Sequence, residues 1–372
     1  MPGLILRAGE FLAGLMLLAL FAQSVSRAAL VTRHRVDRIA HGIGLLICSS
    51  LTRIAARRRD YDAVQDVLAW VLPLYILALI MAWFALVQVG FSLILWSLRV
   101  ESSPTAALIA SGSALSTLGF LTPMSALGQA LAVLEGAMGL GVVVFFFTFI
   151  PGYQAAIQAR ELKVAWLYAR TGGDPTGFAL IEWLLRSYTS SDMRGLWEQW
   201  EEWFRLLGET LSVAPVLTSV PSVRRGQAWL VSAAAVLDAA CFCLATSEEG
   251  TRNSAVGVCR TTGVTALRHL VGDHVQETAA ARAAVWPAAR DAFDAPYDLL
   301  IALKLPVKMN RPESWERFVA LRREYEGLLA HLSARLLVSS CNTALRMLPP
   351  SALEMPSPTS PVCHEGAIAR FR

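Results

Sequence analysis

Apolar and polar positions alternate along this chain in long blocks rather than short periods. The first apolar block runs from about Gly3 to Ala22, and Phe11 to Ser26 carries no charge. Val67 to Leu98 is a run of 32 residues without a charged side chain, studded with Trp70, Tyr75, Trp83 and Trp96. Ser102 to Leu134 is charge-free over 33 residues, and Gly136 to Ala159 continues the run after Glu135. About 20 apolar residues suffice to cross a hydrocarbon core of about 30 Å, so each block has room for a spanning helix. Ile39 to Thr52 lacks Asp, Glu, Lys and Arg but has only 14 residues, which predicts a helix lying on the inner leaflet instead.

The block from Ser102 to Leu134 changes texture along its length. Ser103-Pro104-Thr105 reads as a helix start, with serine as the cap and proline at the first helical position. The helix it opens, from about Pro104 to Ser116, is rich in small residues and too short to cross. Thr117-Leu118-Gly119-Phe120-Leu121-Thr122-Pro123 follows, read as an extended, strand-like turn that cannot continue a helix past Pro123. Leu127 to about Phe149 then has the length of a full span. Non-helical backbone at membrane depth is tolerated only where protein or a water-filled cavity surrounds it, so this succession points to a pore.

Past Tyr153 the charges return. Glu161–Thr171, Thr176–Tyr188, Met193–Leu211, Gly226–Ala245 and Trp315–Val338 read as helices by length and periodicity. Trp197, Trp200 and Phe204 share a helical spacing that suits a packed core face better than a ligand box. Trp229 to Ala245 is apolar on all sides except at Asp238; a fourth span is one reading, and a buried core helix is preferred because the run is short, alanine-rich and broken by that acid. From Pro349 onward, five prolines among serines and threonines predict disorder.

Composition supports a membrane reading: 55% of the 372 residues are hydrophobic and 17% charged, against about a quarter charged in an average soluble domain. The net charge of +4 is too small to imply a nucleic-acid partner. Eight arginines between residues 25 and 66, facing Asp37, Asp60, Asp62 and Asp66, mark that loop as cytoplasmic by the positive-inside rule. With three spans this puts the N-terminus outside and the C-terminus in the cytoplasm. A cleaved signal peptide remains an alternative for the first block, although its basic residues follow the apolar run instead of preceding it. The six cysteines show neither a disulfide framework nor zinc spacing, and no phosphate-binding loop, nucleophile elbow or H-E-x-x-H motif occurs. His269, Asp273 and His274 read as surface residues. No enzyme activity, cofactor or bound metal is expected.

Ser111-Gly112-Ser113-Ala114-Leu115-Ser116-Thr117-Leu118-Gly119-Phe120-Leu121-Thr122-Pro123 resembles the pore helix and selectivity filter of bacterial two-transmembrane, pore-loop potassium channels. Leu127 to Leu140, with Glu135 beside small residues, resembles their inner helix. The resemblance covers about residues 67 to 155. It implies an all-α membrane protein with a pore hairpin of helix, pore helix and filter, and helix, here with an extra N-terminal helix. In that family rings of backbone carbonyls from four chains replace the ion's hydration shell. Thr117, Leu118, Gly119 and Phe120 would take the Thr-Val-Gly-Tyr places of the filter, and Leu121 falls where the family has a glycine free to adopt positive φ. Ser116 and Glu135 would support the pore from behind.

The resulting expectation is a homotetrameric, potassium-conducting cation channel of modest selectivity in the plasma (inner) membrane. Its domains would be an N-terminal transmembrane helix at 1–26, a basic cytoplasmic loop at 27–66, the pore domain at 67–155, a helical cytoplasmic domain at 156–348 and a tail at 349–372. Its partners would be lipid and three further copies. The rivals are a non-conducting, membrane-anchored sensor or scaffold that keeps the pore fold, an ordinary loop at 104–123 within a helical bundle, and a membrane-bound enzyme.

Overall fold

A computed structural model describes residues 2–29, 37–58, 61–187, 190–213, 215–246, 254–271, 290–305, 307 and 310–336. The tail at 349–372, Arg33, Arg35, Arg59, Asp60, Asp273, His274, Cys341 and Cys363 lie outside these residues. The architecture is all-helical, and no strand occurs among the described residues. In chain order the helices are α1 (Pro2–Ala29), α2 (Arg38–Ala55), α3 (Tyr61–Leu68), α4 (Val71–Ser97), α5 (Pro104–Leu115), α6 (Ala126–Arg170), α7 (Gly177–Ser187), α8 (Ser190–Val213), α9 (Trp229–Thr246), α10 (Ala255–Val271), α11 (Arg290–Ala302) and α12 (Arg311–Arg335). A 3-10 turn, Pro215–Ser219, precedes α9. By length and composition α1, α3–α4, α6 and α9 are apolar enough to cross a membrane, consistent with a multi-pass membrane protein.

Helices α1 and α4 approach closely because both place a glycine at their crossing. A Cβ on Gly14 would stand 2.6 Å from Gly90 O and 2.9 Å from the Ile94 side chain, the close approach that small residues allow between apolar helices. Further along, Trp83 is fully buried among Phe21, Phe145 and Phe146, which joins α1, α4 and α6. Its indole Nε1 donates to Ser24 Oγ at 2.9 Å, and Ser24 Oγ donates to Asp37 Oδ2 at 2.5 Å. Asp37 in turn caps α2 by accepting from the backbone N–H groups of Ile39 and Ala40.

The segment expected to lie on the inner leaflet is helix α2. It runs antiparallel along α4, starting beside Trp83 and lying against the Tyr75 ring by Gly44. Ile39, Ile43, Ile47 and Leu51, spaced four apart, pack into the shared core. Leu45, Leu46 and Ile54 stay exposed on the other side.

The sequence suggested a span from Leu127 to about Phe149 and a separate helix from Glu161, in place of α6. Helix α6 is instead continuous over 45 residues, about 68 Å long at 1.5 Å per residue. Pro151 removes a single N–H donor from the ladder and Gly152 stays helical behind it; the chain leaves the helix only before Gly172 and Gly173, both at positive φ. The lower end of α6 is fastened by Arg160, which is 4% exposed. Its guanidinium donates to the carbonyls of Val220 (3.2 Å) and Pro221 (3.0 Å), pairs with Glu161 (2.8 Å) and lies over the Trp229 ring. Glu161 accepts from Val223 N, and Tyr168 OH accepts from Ala228 N, so α6 holds both ends of the segment leading into α9.

In the C-terminal half α9 is the central helix, packed by α7, α10 and α12. Trp197, Trp200 and Phe204 of α8 are buried core residues, as their spacing suggested, and Trp203 is buried with them. Gly177 lets α7 meet α9 closely, since a Cβ there would come within 2.6 Å of Asp238 Cβ. Asp238 itself is satisfied inside the domain: Arg322 Nε donates to its Oδ1 at 3.1 Å and Tyr325 OH donates to the same oxygen. Burial, and next the Asp238 charge, push the Tyr325 hydroxyl well above its ordinary range. Arg260 reaches Cys241 Sγ, Leu321 O and Glu324 beside this pair. Helices α10 and α11 had no counterpart among the segments expected from the sequence.

Candidate functional site

The segment from α4 to α6 assembles as a short helix wedged between two long ones. Ser103 is in extended conformation and its Oγ accepts from Ala106 N at 3.1 Å, with Pro104 at the first helical position. The 12 residues of α5 rise about 18 Å, well short of a crossing.

Close contacts fix α5 on both sides. Towards α4, a Cβ on Gly112 would stand 2.8 Å from Gln88 Nε2, and Ser111 Oγ lies 2.9 Å from Gln88 O. Towards α6, a Cβ on Gly139 would stand 2.5 Å from Leu115 O and one on Gly136 3.2 Å from Ala114 O. Ser111 Oγ also hydrogen-bonds Glu135 Oε1, joining α5 to α6 where both residues are fully buried.

The end of α5 is a Schellman-type cap built without its usual glycine. Thr117 N bonds Ala114 O at 3.0 Å and Leu118 N bonds Ser113 O at 3.1 Å, with Thr117 in the left-handed region at φ 58. A non-glycine residue there costs about 1–2 kcal/mol. Ser116 Oγ turns back to Gly112 O at 2.6 Å. Gly119 N bonds Ser113 O and Leu121 N bonds Ser113 Oγ, at 3.2 and 3.0 Å. The segment read as an extended turn is therefore a helix cap followed by a compact turn. Its positive φ values fall on Thr117 and Gly119 and not on Leu121. Leu118 (71%), Phe120 (67%) and Met124 (95%) are exposed, whereas Pro123 is buried against Gly128. Ser125 then caps α6 by accepting from Gly128 N.

Ser116, Thr117, Leu118, Gly119, Phe120 and Leu121 thus lie together at the C-terminal end of α5. Glu135 joins α5 at Ser111, six residues before Thr117, and not the turn itself. Sequence reasoning placed Ser111 and Ser113 in the pore-helix resemblance without a role of their own and did not single out Gln88. The signals were present: Ser-Gly-Ser inside an apolar helix, and the one amide side chain in the charge-free run from Val67 to Leu98. Among the described residues no group of three or more His, Cys, Asp or Glu side chains is placed to hold a metal ion.

No protein-family model matches the chain, and neither a curated protein nor a solved structure matches it.

Proposed function

We propose that this chain is the subunit of a cation channel of potassium-channel type, four copies of which surround an axis with the turn at 117–121 facing it. The observation that carries this reading is the wedge: α5, capped at both ends and too short to span, sits between two apolar helices and presents a turn of exposed residues. One-sided burial of α6 supports assembly. Gly128, Glu135, Gly139, Val142 and Phe146 form its buried line, while Val133, Leu134, Leu140, Val144 and Phe147 stay exposed, leaving area for lipid and for neighbouring copies. In this reading the N-terminus is outside, the helical domain is cytoplasmic and K+ is the permeating ion.

A second reading, a membrane-anchored sensor or scaffold that does not conduct, is favoured by one feature. The amides of Leu118 and Gly119 both fold back on Ser113 O, which shortens the extended backbone available for a carbonyl ring.

Ion flux through purified protein in liposomes separates the two. The channel reading expects potassium flux with a modest preference over sodium, tetramers by native mass measurement, higher selectivity in Leu121→Gly, and lost flux in Gly119→Val, because a β-branched residue is strained at φ 66. A strict monomer or dimer without flux overturns it.

A further inference from the structure

Glu135 is 0% exposed between α5 and α4. One carboxyl oxygen, Oε1, meets Ser111 Oγ; the other, Oε2, is buried and reaches no hydrogen-bond partner. Ser111 has one hydroxyl proton but two acceptor neighbours, Glu135 Oε1 and Gln88 O at 2.9 Å, the latter also receiving Ser92 Oγ at 2.6 Å. The elements packed around Glu135 supply no counter-charge. Helices α4 and α5 contain no Asp, Glu, Lys, Arg or His, and α6 contains none but Glu135 before Arg160. Tyr75 and Tyr153 are the other ionisable side chains on these segments; each is acidic, not basic, and sits more than two helical turns away along its helix. Arg99 and Glu101 stand on the connection before α5, outside the packed site. An ionised carboxylate here would have at most one shared donor, one oxygen with none, and no cation.

Resting on the channel reading and deepening it, we propose that Glu135 works as an uncharged carboxylic acid. Its hydroxyl donates to Ser111 Oγ, which releases the Ser111 proton to Gln88 O. The relay Glu135 to Ser111 to Gln88 then ties α6, α5 and α4 with every donor directed at an acceptor. Glu135 is in this sense a positioning residue, fixing α5 and with it the turn that α5 carries. Glutamine is the appropriate isostere, since its amide N–H can replace the acid hydroxyl, whereas aspartate is too short to reach and alanine leaves Ser111 Oγ without its donor.

Two readouts on the full chain in lipid test this. Infrared difference spectra, wild type against Glu135→Gln at neutral pH, should contain the carbonyl stretch of a protonated carboxylic acid that the variant lacks. Glu135→Gln should keep wild-type thermal stability and ion flux, while Glu135→Ala and Ser111→Ala each lower flux by about tenfold or more, the double variant adding little. Absence of the acid band, or glutamine as damaging as alanine, overturns the proposal. Should wild type carry no flux, the channel reading falls, and the acid band with the stability order of the variants still decides the state of Glu135.

Discussion

Two helices of similar apolar character meet opposite fates. In α6 22% of the most apolar window is buried inside the protein, and in α9 94% is. Apolar composition alone therefore does not separate a spanning helix from a core helix; what separates them is whether other elements surround the surface. Helix α6 is covered along one line by α4 and α5 and left open elsewhere, as a helix bathed in lipid can be. Helix α9 is enclosed by α7, α10 and α12, and its acid is met by Arg322 and Tyr325. An unpaired aspartate would be costly in lipid, whereas a protein core can bring it a guanidinium and a hydroxyl.

The sharpest way to break the contrast is all-or-none. Val223 before α9 (72% exposed) and Val258 after it (36%) should lie on the same side of the membrane. Cysteines placed at each, treated with a membrane-impermeant thiol reagent in oriented vesicles, should both react from one side; opposite sides would make α9 a fourth span. Next in size is Asp238→Ala, which takes from the buried Arg322 guanidinium its carboxylate partner at 3.1 Å and leaves it Glu326 at 3.9 Å; it should destabilise the helical domain by about 3 kcal/mol, the low end for a broken buried pair, read from the tryptophan-fluorescence unfolding transition. Tyr325→Phe removes one hydrogen bond from the same site and should cost about 1 kcal/mol. An unchanged transition in Asp238→Ala would mean that solvent, not Arg322, satisfies that acid. The smallest effect tests the one-sided packing of α6. Gly139→Val forces a side chain against Leu115 O, an overpacking that should cost about 1–3 kcal/mol in thermal stability. Gly141→Ala, with nothing within 4 Å of its Cβ, should be neutral or better. Equal losses at the two glycines would show that lipid or another copy presses on the open face as tightly as α5 does on the closed one.

Local chemistry made much of this legible in the sequence. Ser103-Pro104 announced the start of α5, Thr117 to Pro123 its end, and Asp238 marked α9 as the odd member among the apolar runs. The continuity of α6 was hidden because Pro151-Gly152 looks like a stop, although a lone proline deletes only one donor from a ladder of dozens. The hold of Arg160 on Val220 O and Pro221 O could not be read, because backbone carbonyls some 60 residues away leave no residue-type signature. Helices α10 and α11 were missed for a related reason: their buried faces, with Cys259, Val264 and Leu267 on one and Phe293 and Tyr297 on the other, are defined by partners supplied from far along the chain. In the candidate site the order of residues along the turn was readable. Its shape was not, because the left-handed positions are set by the way α5 is capped.

Ser113 has a consequence for how such a turn can diversify. Its carbonyl receives two amides and its hydroxyl a third, so the path from Leu118 to Leu121 is dictated by a residue that is not in the turn. A surface whose course is drawn from behind can exchange Leu118 or Phe120 for other side chains with its outline intact. Mutational drift in this segment then alters what the protein presents to its surroundings before it alters whether the protein folds.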